Sequence, residues 1–396
     1  MIENVPDGWR VEKLGDMGKV FTGSSAPQDT KYFENGNYPF VRVSDLSDKK
    51  FNNNLQDIRD YINDICLDET KQTFAKRGTI LFAKSGMSVK NNHRAILGID
   101  SYIVSHLCAI FIENEITRNY VYQLLCKMDM VNFSDNESYP SLKTSTIKLI
   151  NIPFPQLPQQ EKIVKVLDIS SSLIEKQKLL LQKYDLFLKS KFIEMFGDPI
   201  KNPMGWEVKK LGSLGEWKGG GTPARKNPEY FQGTIPWITT TSLGKLYIDK
   251  NNAVEHITNE AIQNSATKII PKNSIIVGTR VGVGRVSINT DELCSNQDIM
   301  SLTNITNISV PIYIYYFINF YNQILKSQQR GATIQGITAP VLKELNIPIS
   351  PINLQNKFAS IVEKIETIKT KEAQKLAHLE TLHKSLMDRA FKGEIG

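Results

Sequence analysis

Two kinds of apolar spacing alternate along this chain of 396 residues. In 1–156 and again in 203–351, apolar residues come in short runs between turn-forming residues, as at 38–43, 79–83, 235–239 and 274–277. Runs of that length, bounded that way, predict strands, and so two similar mixed α/β domains that are largely β. In 157–202 and 352–396 the spacing changes to seven. Leu167, Ile174, Leu181, Leu188 and Met195 form one series, with Val166, Leu173, Leu180 and Phe187 beside it. The second stretch has Phe358, Ile365, Leu379 and Leu386 at one heptad position and Ile361, Ile368 and Leu382 at another, with Glu372 and Lys375 interrupting midway. A sustained seven-residue repeat draws a continuous stripe along a helix, the seam of a coiled coil. Asn-Ile-Pro steps at 151–153 and 346–348 mark the end of each strand-rich domain, because proline drives the residue before it out of helical geometry.

The whole pattern is written twice. Trp9 answers to Trp206 and Leu14 to Leu211, both 197 positions on, and Pro39-Phe40 answers to Pro236-Trp237 at the same offset. GTILFAKSG at 78–86 matches NSIIVGTRVGVG at 273–284, LINIPFP at 149–155 matches LNIPISP at 345–351, and KSKFIEMFGD matches HKSLMDRAFKGE. Blocks in one order at a nearly constant offset define a duplicated module of a domain followed by a helix. The second helix buries its stripe by running back antiparallel along the first. The expected architecture is therefore α+β: two domains separated by a long antiparallel two-helix coiled coil, related by a pseudo-twofold. About 37 helical residues at 1.5 Å each give a rod of about 55 Å, of the order of 16 base pairs at 3.4 Å per step.

Composition narrows the class. With 41% hydrophobic and 22% charged residues the chain reads as a soluble globular protein. It shows no apolar run long enough to span a bilayer, so no membrane role is expected, and it opens with no secretion signal. Cys66, Cys108, Cys126 and Cys294 are scattered without a paired spacing, which argues against a zinc site or a disulfide framework and fits a reducing cytoplasm. A net charge of +7 and a pI near 8.9 suit a polyanionic partner.

GGTPARKNPEYFQGTIPW at 220–237, GTILFAKSG, and NIPFPQLPQQEKIVKVL at 151–167 running into a helix resemble the specificity (S) subunits of Type I restriction–modification systems. The resemblance spans the chain in the order domain, helix, domain, helix. The first copy departs from it with SSAPQDTKYF, and PINLQNKF at 351–358 departs from the pattern that LPQQEK keeps. The resemblance implies two target recognition domains that each read one half of a bipartite site on double-stranded DNA. It implies helices that set the spacing and dock two methyltransferase subunits carrying S-adenosylmethionine. Restriction/motor subunits using ATP and Mg would join that core. No cofactor or metal is expected on this chain, and no catalytic residue.

Base discrimination uses Arg or Lys toward guanine and Asn or Gln toward adenine. The densest cluster of such side chains in the first domain is Lys84, Ser85, Lys90, Asn91, Asn92, His93 and Arg94, answered in the second by Thr279, Arg280 and Arg285. Strand-end segments add Arg42, Ser44 and Asp45 against Thr239, Thr240 and Thr241. Lys143 and Thr144, beside Ser138-Tyr139, pair with Gln329, Arg330, Thr333 and Gln335 just before each domain's end. Arg225, Lys226 and Lys31 complete the set, the lysines as phosphate contacts.

Two alternatives compete: a stand-alone methyltransferase or nuclease with built-in recognition, and a coiled-coil scaffold that reads no DNA. NPEY at 227–230 approximates an adenine methyltransferase motif, but glutamate replaces its second proline and the first copy has DTKY there. Asp198 with Glu207 and Lys209 imitates a nuclease metal site, yet Arg10 replaces the glutamate in the first copy. GTRVGVGR lacks the Lys-Ser/Thr ending of a phosphate-binding loop.

Overall fold

The structure is a computed structural model that describes residues 5–47, 49, 51–134, 136, 138–280, 283–328 and 339–395, with 323–328 as helical backbone only. Two compact units divide the chain: Met1–Lys178 with Lys375–Gly396, and Leu179–Gln374.

The first unit runs β1 (Arg10–Lys13), α1 (Leu14–Met17), β2 (Lys19–Thr22), β3 (Tyr38–Val41), β4 (Phe51–Leu55), β5 (Asp60–Ile62), α2 (Asp64–Glu69) and β6 (Thr73–Ala75). It continues through β7 (Ile80–Ala83), β8 (Arg94–Leu97), β9 (Ser101–Ile103), β10 (Leu107–Phe111), α3 (Glu115–Lys127), α4 (Thr144–Lys148) and β11 (Asn151–Phe154) into the long helix α5 (Leu157–Phe196). Strands β2-β10-β7-β8-β4 form a five-stranded sheet and β5-β3-β9-β6 a four-stranded one. The pairs β4–β8 and β3–β9 are parallel, and the remaining pairs of both sheets are antiparallel. A two-stranded ribbon, β1–β11, ties the start of the domain to the Asn-Ile-Pro step at its end.

The second unit repeats this order. It contains β12 (Glu207–Lys210), β13 (Glu216–Gly219), β14 (Ile235–Ile238), β15 (Tyr247–Ile248), β16 (Glu255–Ile257), α6 (Asn259–Gln263), β17 (Ile275–Gly278), β18 (Val286–Asn289) and β19 (Cys294–Ser295). After these come β20 (Ile299–Thr303), α7 (Pro311–Gln328), α8 (Ala339–Lys343), β21 (Asn346–Ile349) and α9 (Ile352–Ala390). Its sheets are β13-β20-β17-β18-β15, β16-β14-β19 and β12–β21, the first unit's arrangement with β6 reduced to a single antiparallel bridge between Ile270 and Leu293. Parallel pairing falls at equivalent places, β15–β18 and β14–β19.

Strand β7 shows why the sequence reads as runs and not as an alternation. All four of its residues are buried. Ile80 and Phe82 pack with Tyr120, Val121, Leu124 and Leu125 of α3, while Leu81 packs with Phe40, Val41, Ile62 and Ile103 of the other sheet. A strand covered on both faces is apolar throughout. In the second unit Ile275 and Val277 pack with Tyr313, Ile314 and Phe317 of α7, and Ile276 with Ile238 and Ile299. The two Asn-Ile-Pro steps are pinned identically. Tyr120 Oη donates to the Pro153 carbonyl and Tyr313 Oη to that of Pro348, each at 2.5 Å. Gln160 and Gln355, both buried, donate to the carbonyls of Pro155 and Ser350. Thus PINLQNKF, which departs from the family pattern in letters, keeps the glutamine that caps the joint.

Within each unit the long helices pair antiparallel. In the first, Gln159 reaches the Ile395 carbonyl, Ser170 Oγ lies 2.7 Å from His383 Nδ1, and Lys178 pairs with Glu380 at 2.8 Å. In the second, Lys369 pairs with Asp185 at 2.7 Å and Phe192 packs on Phe358. Partner numbers fall on α9 as they rise on α5. Leu167, Ile174, Leu181 and Leu188 turn inward, as do Ile365, Leu379 and Leu386. The flanking series on α5 is mixed, with Val166 and Leu180 half-buried and Leu173 and Phe187 exposed. The inward positions that alternate with the first series are Ile163, Ser170, Gln177 and Tyr184 on α5, and Val362, Lys369, Leu376 and His383 on α9. The expected seam residues Ile368 and Leu382 are instead exposed, Leu382 by 51%, and Ile361 is half-buried beside the seam. On α5 Leu173 and Phe187 are likewise exposed. The sequence carries two seven-residue stripes per helix, and only one of each is the seam. Among the described residues no helix is long and apolar enough to cross a membrane.

Candidate nucleic-acid interface

In the first unit three loops meet at the open end of β7. The Lys84 backbone donates to the His106 carbonyl at 2.9 Å, drawing in the turn between β9 and β10. Gly86 donates to Pro140 at 2.9 Å and Leu142 to Lys84 at 2.7 Å, drawing in the segment before α4. Gly86 makes this turn at φ +77°, a conformation that glycine adopts without steric cost. The structure thereby brings together two clusters that lie about 55 residues apart in sequence: Lys84, Ser85, Lys90 and Asn91 with Lys143 and Thr144. Lys90, Asn91 and Lys143 are exposed, while Lys84, Ser85 and Thr144 are half-buried.

Other candidates in this unit serve the fold. Arg94, proposed from sequence to touch DNA, is 1% exposed. Its guanidinium lies 5.1 Å from the Phe82 ring and donates to the carbonyls of Leu125, His93 and Met128 and to Asn92 Oδ1. Burial pulls its pKa down to about 10. Its place on a strand covered on both faces points the side chain at α3, not at solvent. Asn92 is half-buried at φ +54°, with Nδ2 donating to the Met128 carbonyl, and half-buried His93 supplies its carbonyl to Arg94. Asp45 is buried too. Its Oδ2 accepts the Arg42 backbone N–H at 2.7 Å and its Oδ1 lies 3.6 Å from Arg59 Nε, so it caps the turn at Val43–Leu46. Burial raises the Asp45 pKa, against the lowering effect of the Arg42 N–H. Arg42 bonds Asp60 and lies over Phe33 and Phe40, and Ser44 is exposed beside it. Lys31 pairs with Glu69 at 2.6 Å.

The second unit repeats the joint between the first two of these loops with other side chains. The Thr279 backbone donates to the Asp298 carbonyl at 2.8 Å, the counterpart of the bond from Lys84 to His106. Thr279 itself is buried, with Oγ1 also directed at the Asp298 carbonyl, so it is a joint and not a reader. Thr240 is buried, and Thr239 caps the turn by accepting from the Thr241 N–H; Thr241 is exposed. Arg280 and Arg285 are exposed, the latter reaching toward the Thr240 carbonyl at 3.5 Å. Gly284, at φ +75°, packs so closely on Asn322 that a Cβ there would overlap it. Arg225 is held by a bidentate pair with Glu255, 2.7 Å on each arm, over the Phe231 ring; Lys226 is exposed. Gln329, Arg330, Thr333 and Gln335 lie outside the described residues.

The catalytic look-alikes have structural partners. Asp198 accepts the backbone N–H groups of Ile200 and Lys201, and Glu207 pairs with Lys209 along the edge of β12. Tyr230 of NPEY is buried against Trp237 and Ile257. Sequence reading missed His106 and Asp298. Each stands alone in a short turn before a buried strand, and only the pairing of that strand with β7 or β17 carries it to the reading loop. Aligning VSHL at 104–107 with NQDI at 296–299 was the available signal.

Residues 6–182 and 203–381 match the family model of the Type I restriction modification DNA specificity domain. The specificity subunit of the Type I restriction enzyme EcoR124I/EcoR124II from Escherichia coli is 30% identical over 275 residues, 65% of this chain and 65% of its own length. That of MjaIX from Methanocaldococcus jannaschii is 23% identical over 426 residues, spanning 100% of this chain and 95% of its own. Among solved structures, the S subunit from M. genitalium superposes with a TM-score of 0.54 at 13% identity, over 99% of this chain and 98% of that one. A chain from work on complex assembly and conformational transition of the type I R-M system reaches 0.59 at 18% identity, over 99% of each. Both likenesses concern the fold. With two matched copies filling most of its length, the chain belongs to the family of Type I restriction–modification specificity proteins.

Proposed function

We propose that the chain is the sequence-reading subunit of a Type I restriction–modification assembly in the cytoplasm, binding double-stranded DNA and reading one half of a bipartite site with each recognition domain. The observation that carries this is one loop junction built twice with different side chains: Lys84, Ser85 and His106 in one unit, Thr279, Arg280 and Asp298 in the other. A shared backbone joint with unlike tips suits two unlike half-sites. The helix pair sets the unread gap between them. In support of that, α5 and α9 are unbroken elements of 40 and 39 residues.

The second stripe on each helix gives the partners a place to dock. Ile169 and Leu173 with Leu382 in the first unit, and Leu186 and Phe187 with Ile368 in the second, are large apolar side chains left in water. Such a surface favours a protein partner, and two methyltransferase subunits carrying S-adenosylmethionine are the partners proposed. Restriction/motor subunits with ATP and Mg join through them. The chain's own part is to bind, measure and recruit.

Expression with the neighbouring methyltransferase gene, followed by genome-wide methylation sequencing, tests the reading. The expected result is an asymmetric motif of two short halves with a fixed gap. A continuous motif, or DNA association that is blind to sequence and to added salt, refutes it.

A further inference from the structure

We propose that Ser85–His106 and Arg280–Asp298 are equivalent base-reading pairs, one for each half of the DNA site. The inference rests on the function proposed above and assigns it to particular atoms. The equivalence is a matter of backbone: the bonds from Lys84 to His106 and from Thr279 to Asp298 are the same joint, made at 2.9 and 2.8 Å. One residue further along the loop stands Ser85 or Arg280, and across the joint His106 or Asp298. Because the joint is shared, these four side chains stand at equivalent places on the two units.

In the first unit Ser85 Oγ lies 2.7 Å from His106 Nδ1. His106 is exposed, and with Nδ1 held in this way its Nε2 is the ring nitrogen presented outward. Orienting an imidazole through one nitrogen so that the other meets a base edge is how a histidine becomes selective. The surroundings have the chemistry of a contact surface. Tyr139 is 63% exposed, and its hydroxyl would stand 3.4 Å from a Cβ at Gly86; Met87 beside it is 56% exposed. Large apolar groups kept in water among Lys84, Lys90 and Lys143 match a partner that offers phosphates at its rim and methyl and ring faces within. In the second unit Asp298 Oδ2 accepts from Asn296 Nδ2 at 3.1 Å, which aims the carboxylate, and Arg280 is exposed across the joint. Guanidinium to guanine and carboxylate to the cytosine amino group is a complete readout of one G·C pair.

The test is methylation sequencing in a host carrying the neighbouring methyltransferase gene with this chain as wild type, Arg280→Ala, Arg280→Lys, His106→Ala or His106→Gln. Arg280→Ala is expected to lose roughly tenfold to hundredfold discrimination at one G·C position in one half. His106→Ala is expected to relax a position in the other half. Should an alanine variant fail to accumulate, the Lys and Gln variants, which keep bulk and polarity, are expected to relax the same positions. Variants that keep every wild-type preference, or that lose methylation uniformly at all sites, overturn the assignment. A wild type with no bipartite motif instead retires the function on which it rests.

Discussion

Arg94, buried beside a basic, asparagine-rich loop, is expected to hold the first unit together and to leave base reading untouched when it is replaced. Replacing it with methionine keeps the stem over Phe82 and removes the guanidinium. The Leu125 and His93 carbonyls, which accept at 3.2 and 2.8 Å, lose that donor, while the Met128 carbonyl keeps Asn92 Nδ2 at 3.1 Å. Depriving the buried Leu125 carbonyl of this donor costs about 1–3 kcal/mol, and the half-buried His93 carbonyl adds less. Relief of the charge's desolvation returns part of that. The net loss expected is about 2 kcal/mol, read as a lower denaturation midpoint for the first unit by intrinsic fluorescence in urea. The methylation motif of Arg94→Met should match wild type wherever the protein is folded. A variant of undiminished stability with an altered half-site would refute the structural role and show that Arg94 reads bases.

The helix pair supplies four further predictions. Replacing His383 with leucine, the residue at the equivalent Leu188, removes a titrating group from the first unit's seam, and Ser170 Oγ keeps its bond to the Leu167 carbonyl at 2.9 Å. Burial holds the His383 pKa below 6.5, so the unfolded chain takes up its proton first as pH falls. Stability is then full above 6.5 and declines down to the folded value; Asp168 and Glu175, which line the same cavity, do not reverse that direction. Thermal melts from about pH 7.5 to 5 should show a shallower decline for His383→Leu, and parallel curves would count against the assignment. Leu181→Ala in the seam should cost about 2 kcal/mol. Leu186→Ser with Phe187→Ser on the outer stripe should leave the urea midpoint alone but abolish co-purification with the methyltransferase subunit; the opposite pattern would exchange the two stripes. Inserting one helical turn near both Gln177 and Glu372 adds about 5.4 Å and should widen the unread gap by one or two base pairs, with both halves unchanged. Methylation mapping that finds the same gap would remove the spacer role.

Much of this architecture was legible because duplication is a one-dimensional signal. The Trp9–Trp206 offset, the heptad series through Leu167 and Leu188, and the two Asn-Ile-Pro steps each survive as spacing, and spacing is what a sequence records directly. What stayed hidden depends on which face of an element meets which neighbour. Leu173 and Leu181 both recur every seven residues, yet only the position of the partner helix decides that Leu181 is half-buried and Leu173 exposed. Arg94 and Lys90 are four residues apart in one polar stretch, but β8 begins at Arg94 and is covered by α3, so the same chemistry is interior at one and surface at the other.

His106 extends this logic to function. Nothing local marks it, and its meaning comes from a strand pairing that lays β10 beside β7 and so delivers the turn before β10 to the loop after β7. The second unit's β20–β17 pairing delivers Asp298 by the same route. A reading surface made this way separates what must be constant from what may vary. The backbone joint fixes where the side chains stand, and the residues at the joint are free to change without disturbing the sheet. Thr279 and the backbone of Lys84 belong to the first category; Ser85, His106, Arg280 and Asp298 belong to the second. A protein whose two domains must recognise unrelated sequences from one fold requires that division, and exchange of the four variable residues between the domains should therefore transplant base preference while leaving the unfolding free energy of each unit, from urea titration, within about 1 kcal/mol of wild type. Loss of stability on exchange would mean that these side chains hold the joint itself.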